Sequence, residues 1–139
     1  MTQPATALAA TRSKRQAMWR GLLGRCPACN EGRVFARYLK VADQCETCGL
    51  ELSGHQADDA PPYFTIFIVG HIIIPVALIV ERAYQPSLFV HAGIFCVLSV
   101  IVTLISLPMV KGAVVGLQWA LRMHGFSETD PVHVEIRER

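Results

Sequence analysis

The chain has 139 residues, enough for one compact domain or for a small head joined to a membrane part. Its formal net charge of +2 is too small to argue for a nucleic-acid partner. Hydrophobic residues make up 52% of the chain and are unevenly placed: residues 1–50 are polar and basic, whereas 64–110 are mostly apolar. Two such apolar runs leave too little remaining chain to bury them, which argues against a soluble helical domain.

Residues 1–24 form a basic leader, predicted to be partly disordered. Residues 1–13 are rich in Ala and Thr and have no apolar period. Residues 14–24 combine Lys14, Arg15 and Arg20 with Met18, Trp19, Leu22 and Leu23. Two readings stand side by side: a short helix on the membrane surface, with Trp19 at headgroup level and its cations toward anionic lipid, and a solvated basic leader. No apolar core follows the early basic residues, so a signal peptide is not expected; a mitochondrial transit peptide is a further reading.

Residues 25–52 organise everything else. Cys26-Pro27-Ala28-Cys29 is followed after fifteen residues by Cys45-Glu46-Thr47-Cys48-Gly49. Two Cys-x-x-Cys turns at this separation fit a four-thiolate metal site, because each turn supplies two sulfurs and the second pair closes a tetrahedron. Gly32 and Gly49 stand where backbone must turn toward sulfur without a Cβ in the way. Val34, Phe35, Tyr38, Leu39 and Val41 give short β-prone runs between the turns. The expectation is a small β-rich, zinc-ribbon-like head, too poor in apolar residues for an independent core and held by its metal. A rubredoxin-type iron site uses the same turns and is the alternative to zinc, with thiol redox chemistry or disulfides behind both.

Residues 53–62 are a neck. Pro61 and Pro62 suit the first turn of a helix, and Asp58 and Asp59 precede them beside its positive end. His55, Asp58 and Asp59 are the candidate polar site, able to hold a second metal or grip a partner's basic residues; helix capping is the plainer account.

Residues 63–110 are predicted to be a transmembrane α-helical hairpin. The run 63–80 covers about 27 Å as a helix, close to a bilayer core of about 30 Å. The loop 81–87 is short, so the second span, 88–110, must return antiparallel. His71 near mid-membrane is a functional candidate by default; a neutral imidazole donating to a neighbouring helix carbonyl is the simpler account. Cys96 should lie at similar depth, and Glu81 and His91 toward the loop. A His/Cys pair of this kind suits copper or haem iron, whereas Cys96 alone reads as a small packing residue. Gly70, Gly93, Ser99 and Ser106 are small enough to permit close helix approach.

Residues 111–125 read as a C-terminal amphipathic interfacial helix, bent away near Pro108. Lys111, Gln118 and Arg122 fall in one narrow stripe on it, and Gly125 would close it. In the tail, 126–139, Val132, Val134 and Ile136 alternate with polar residues, as in a short strand docking on the head or a disordered end. Of the thirteen Lys and Arg residues, eight lie before residue 41, four from Lys111 onward, and Arg82 alone between. The positive-inside rule then places both termini and the head in the cytoplasm.

The combination Cys26-Pro27-x-Cys29-x-x-Gly32 with Phe35, Cys45-x-x-Cys48-Gly49, Asp58-Asp59-Ala60-Pro61-Pro62-Tyr63-Phe64, Pro108-x-x-Lys111-Gly112 and Gln118-Trp119 resembles a bacterial domain-of-unknown-function family. The resemblance covers roughly 20–126. It implies a small multi-pass protein of the bacterial cytoplasmic (inner) membrane with a zinc-ribbon-like head. Through the genes its members accompany, it also implies a part in haem–copper oxidase biogenesis. No nucleophile–base set, phosphate loop or dinucleotide fingerprint is present in the sequence. The expectation is therefore a non-enzymatic accessory or assembly protein of a membrane complex. Two alternatives stand beside it: an electron-transfer or metal-delivery protein using an iron head or His71, His91 and Cys96, and a membrane-bound enzyme using Asp58, Asp59 and His55 with a second metal.

Overall fold

A computed structural model of the protein describes residues 12–55, 59–123 and 126. Five elements follow one another: α1 (Lys14–Leu22), β1 (Phe35–Arg37), β2 (Lys40–Val41), α2 (Ala60–Tyr84) and α3 (Leu88–Ala120). Residues 1–11 of the leader, Asp58, Gly125 and the alternating residues Val132, Val134 and Ile136 lie outside the described residues.

The two long helices arise from the apolar runs. α2 has 25 residues with mean hydropathy 2.4 and α3 has 33 with mean hydropathy 2.6, and both are long and apolar enough to cross a membrane. Most of their apolar side chains face outward, Phe89 at 88% and Leu88 at 77% exposure among them, unlike the core helices of a soluble domain. Pro61 opens α2 where amides have no intrahelical partner, and the Thr65 hydroxyl donates to the Pro61 carbonyl at 2.8 Å. The expected loop 81–87 is shorter than its sequence suggests: Glu81 and Arg82 continue α2 to Tyr84, and Gln85, in the left-handed region, caps it by donating its backbone N–H to Glu81.

The expected interfacial helix at 111–125 does not exist as a separate element. Pro108 does not interrupt α3, which runs on to Ala120. At 1.5 Å per residue α3 is about 50 Å long, longer than the roughly 30 Å of a bilayer core, and its last turns lie against the head. There they form a pillar. Val115 of α3 is fully buried with Val34, Val41, Leu52 and Phe126, and Phe35, Leu50, Val114 and Trp119 pack around them. The head thus borrows from α3 the core it is too short to build alone.

α1 is helical, as one of the two readings of the leader expected, and it docks along the end of α3. Ser13 opens it by accepting from the Gln16 amide, and backbone bonds from Gly24 to Gly21 and from Arg25 to Arg20 close it. Ala17 and Gly21, one turn apart, face Gly112 and Gly116 of α3 so closely that a Cβ on Gly112 would strike the Gly21 carbonyl and one on Gly116 the Ala17 carbonyl. Within the hairpin itself, a Cβ on Gly70 or Gly93 would meet nothing within 4 Å. Arg12 completes the seam, donating to the Trp119 carbonyl at 3.0 Å with its guanidinium over the Trp119 ring.

The tip of the β1–β2 hairpin reaches α3 at one informative place. Pro108 has no N–H, so the Leu104 carbonyl one turn earlier loses its helical donor. The Tyr38 hydroxyl donates to that carbonyl at 2.7 Å. Replacing Tyr38 with Phe is expected to cost about 1 kcal/mol of stability in mild detergent. In a Pro108→Ala background, where the amide is restored, most of that cost should vanish. A cycle of the four proteins with purely additive effects would refute the pairing.

Candidate metal centre

The two cysteine turns are held in place by short-range backbone bonds. In the first, the Cys26 amide donates to Gly32, the Asn30 amide to Cys26, and the Gly32 amide to the Cys29 sulfur at 3.5 Å. In the second, the Cys45 amide donates to Leu50 and the Gly49 amide to Cys45, with Gly49 at φ +71°. Single β-bridges, Arg25 with Arg33 and Gln44 with Glu51, brace the two turns from outside. The β1–β2 hairpin, with Phe35 opposite Val41 and Arg37 opposite Lys40, carries the chain from one turn to the other. Arg20 of α1 ties the first turn to the helix seam, its guanidinium donating to the carbonyls of Pro27 and Ala28 at 3.0 and 3.1 Å.

This framework brings all four sulfurs within 4.8 Å of one another. Cys26 lies 3.7 Å from Cys48, and Cys29 lies 3.7 Å from Cys45. A tetrahedral ion with metal–sulfur bonds of about 2.3 Å requires sulfur–sulfur edges of about 3.8 Å, so the set fits a metal with little adjustment. Gly32 supplies a second sign of fit: a Cβ there would collide with the Cys45 sulfur. The cradle is closed on one side, where Cys26 and Cys45 are buried, and open on the other, where Cys48 is exposed.

The thiols carry the electrostatic imprint of the site. Burial pushes the Cys26 thiol well up and also raises Cys48. At Cys29 burial acts in the same direction, but the amides of Gly32 and Glu31 and the sulfurs of Cys48 and Cys45 outweigh it and bring the thiol down to about 7. Metal uptake therefore displaces protons, at Cys26 and Cys48 throughout the neutral range and at Cys29 increasingly below pH 7, so affinity rises with pH.

The remaining sequence candidates are dispersed. His55 turns its Nδ1 to the Leu52 carbonyl at 2.9 Å, closing its own turn. Asp59 occupies the N-cap position of α2 without a side-chain capping bond. Among the described residues, no second group of three or more metal-capable side chains forms. Lys111 is half-buried on the α3 pillar. His71 donates Nδ1–H to the Phe67 carbonyl of its own helix at 2.8 Å, not to a neighbour. Cys96 is exposed on α3. Near the loop, Glu81 Oε2 lies 3.1 Å from His91 Nδ1, an ion-pair distance without hydrogen-bond alignment. Sequence reasoning missed the seam residues Ala17, Gly21 and Gly116 and the Tyr38–Leu104 bond. The small-x-x-x-small spacings of Ala17/Gly21 and Gly112/Gly116 were the available signal.

A family model described as "Protein of unknown function (DUF983)" matches residues 35–119. The chain belongs to this family. The matched segment of this DUF983 chain carries the second cysteine turn, α2 and all but the last residue of α3; the first turn, with Cys26 and Cys29, precedes it. No curated protein and no solved structure matches the chain.

Proposed function

We propose that this DUF983 protein is a non-enzymatic accessory or assembly factor of a membrane complex. α2 and α3 cross the bacterial cytoplasmic (inner) membrane, and a structural zinc stiffens a head that docks a cytoplasmic partner. The observation that supports this best is the packing of head, α1 and the α3 pillar into one unit at one end of the hairpin, with Glu46, Thr47, Cys48 and Gly49 turned outward. Such a unit offers a fixed surface at a defined height above the hairpin. Zinc suits a closed set of four thiolates because it holds geometry without redox chemistry.

Orientation follows from charge. The basic residues of α1 and the head cluster at the end of the hairpin opposite Arg82, so the positive-inside rule places that end and both termini in the cytoplasm. Trp19, 63% exposed on α1 beside Lys14 and Arg15, then faces anionic lipid headgroups. The exposure of Cys48 favours a second reading, metal delivery or electron transfer, in which a partner reaches the ion from the open side.

Affinity purification of the tagged protein from its own membranes, with metal analysis of the same sample, tests both readings. Co-purification with subunits or assembly factors of a membrane complex, haem–copper oxidase foremost, and about one zinc per chain is the expected result. Recovery alone, with iron, copper or a haem spectrum, would replace the accessory reading with the second one.

A further inference from the structure

The face of α2 turned away from its buried stripe carries a groove of about 370 Å³, lined by Ile66, Phe67, Gly70, His71, Ile74 and Pro75. The groove lies between two ridges of the helix, 66-70-74 and 67-71-75, with Gly70 as the gap in the first. It sits on the middle of α2, where His71 is the twelfth of 25 residues. Two features set it apart from an ordinary lipid-facing surface. His71 packs its ring, tilted, against Phe67 with centroids 4.0 Å apart and donates Nδ1–H to the Phe67 carbonyl, which in the neutral imidazole leaves Nε2 as an acceptor beside an otherwise apolar groove. Pro75 has no N–H, so the His71 carbonyl lacks its helical donor as well.

Two acceptors in hydrocarbon call for a donor, and lipid tails offer none. We propose that this groove seats a transmembrane helix of a partner protein, one that presents a hydroxyl or amide donor (Ser, Thr, Asn or Gln) to His71 and packs its backbone against Gly70. A second copy of this chain is a poorer complement. Of the four Ser and Thr residues in its two long helices, Thr65, Ser99 and Thr103 already donate to carbonyls of their own helices, which leaves Ser106, and its His71 Nε2 is another acceptor. The inference rests on the membrane-spanning accessory reading and deepens it by naming the intramembrane contact.

The test places a photoreactive amino acid at Ile74, 61% exposed, and irradiates the full-length protein in its native membranes. A second probe at Glu46 reports on the head. The expected adduct at position 74 joins a different protein, through a membrane-spanning peptide containing Ser, Thr, Asn or Gln. Gly70→Leu fills the groove, and its Cβ meets nothing within 4 Å, so the substitution is not expected to disturb the chain's own fold. It should lower the adduct about tenfold, and His71→Phe, which keeps the ring but removes the acceptor, roughly threefold to tenfold. Adducts to lipid alone, to a second copy, or insensitive to both substitutions overturn the proposal. Capture of a partner at Glu46 but not at Ile74 sinks the groove and leaves the accessory reading standing; capture at neither sinks both.

Discussion

Serine at Cys26 and Cys45 together is expected to abolish metal binding and unfold residues 25–52 while leaving α2 and α3 helical. These two ligands are the buried ones, one from each turn, so their loss opens the tetrahedron on its closed side. Structural zinc contributes roughly 10–16 kcal/mol of apparent binding free energy in small domains. Full burial of a side chain such as Val34 or Leu52 contributes about 1.5–3 kcal/mol. The burial of Val34, Val41 and Leu52, even with Val115 and Phe126 completing the cluster, is opposed by about 1–2 kcal/mol of backbone entropy for every residue of the head that is ordered, so this core is not expected to hold the head alone. Gly32→Ala should act in the same direction without removing any ligand, because its Cβ collides with the Cys45 sulfur and must displace it. Metal content and hydrogen exchange measured on the same membrane preparation check the result: exchange should accelerate across 25–52 and stay slow across both long helices. A metal-free double variant whose head amides remain as protected as those of the parent would show that α3, not the ion, holds the head.

The cluster of four cysteines was the most legible part of the sequence because its determinants are local. Each Cys-x-x-Cys turn closes on its own backbone bonds, and the β-prone residues between them span little more than one hairpin. The hairpin of long helices was equally legible, since an apolar run of such length has few other fates. Errors arose where a local pattern had two physical outcomes. Pro108 reads as a break, yet a proline inside a helix costs one hydrogen bond, and Tyr38, seventy residues earlier in the chain, satisfies the carbonyl thus freed. The stripe of Lys111, Gln118 and Arg122 reveals a helix with one polar side but not what covers the other. The membrane was the expected cover; α1 and the head are the actual one. Gly70 and Gly112 are indistinguishable as residues, and only the tertiary approach of α1 makes one of them a contact point. What the groove on α2 receives depends on a second chain and so is written in neither the local pattern nor the fold.

Alanine at Gly112 or Gly116 is expected to release α1 from α3, a large effect for a single added methyl group. At both positions the atom in the way is a backbone carbonyl, that of Gly21 or of Ala17, and a backbone cannot rotate aside as a side chain can. Overpacking of this kind typically costs 1–3 kcal/mol. α1 has nine residues, too few to persist as a helix once separated. Its opening also withdraws Arg20 from the carbonyls of Pro27 and Ala28, so the first cysteine turn loosens with it. Trypsin reads the event directly, because Lys14, Arg15 and Arg20 all lie within α1. Cleavage there follows the population of the open form when closing is faster than cutting, so a cost of 2 kcal/mol corresponds to about thirtyfold faster cleavage. Gly93→Ala supplies the control. It adds the same methyl group to the same helix, meets nothing within 4 Å, and should leave cleavage unchanged. If all three variants were cut at the parental rate, α1 and α3 would not be in backbone contact, and the platform on which the docking reading depends would be lost.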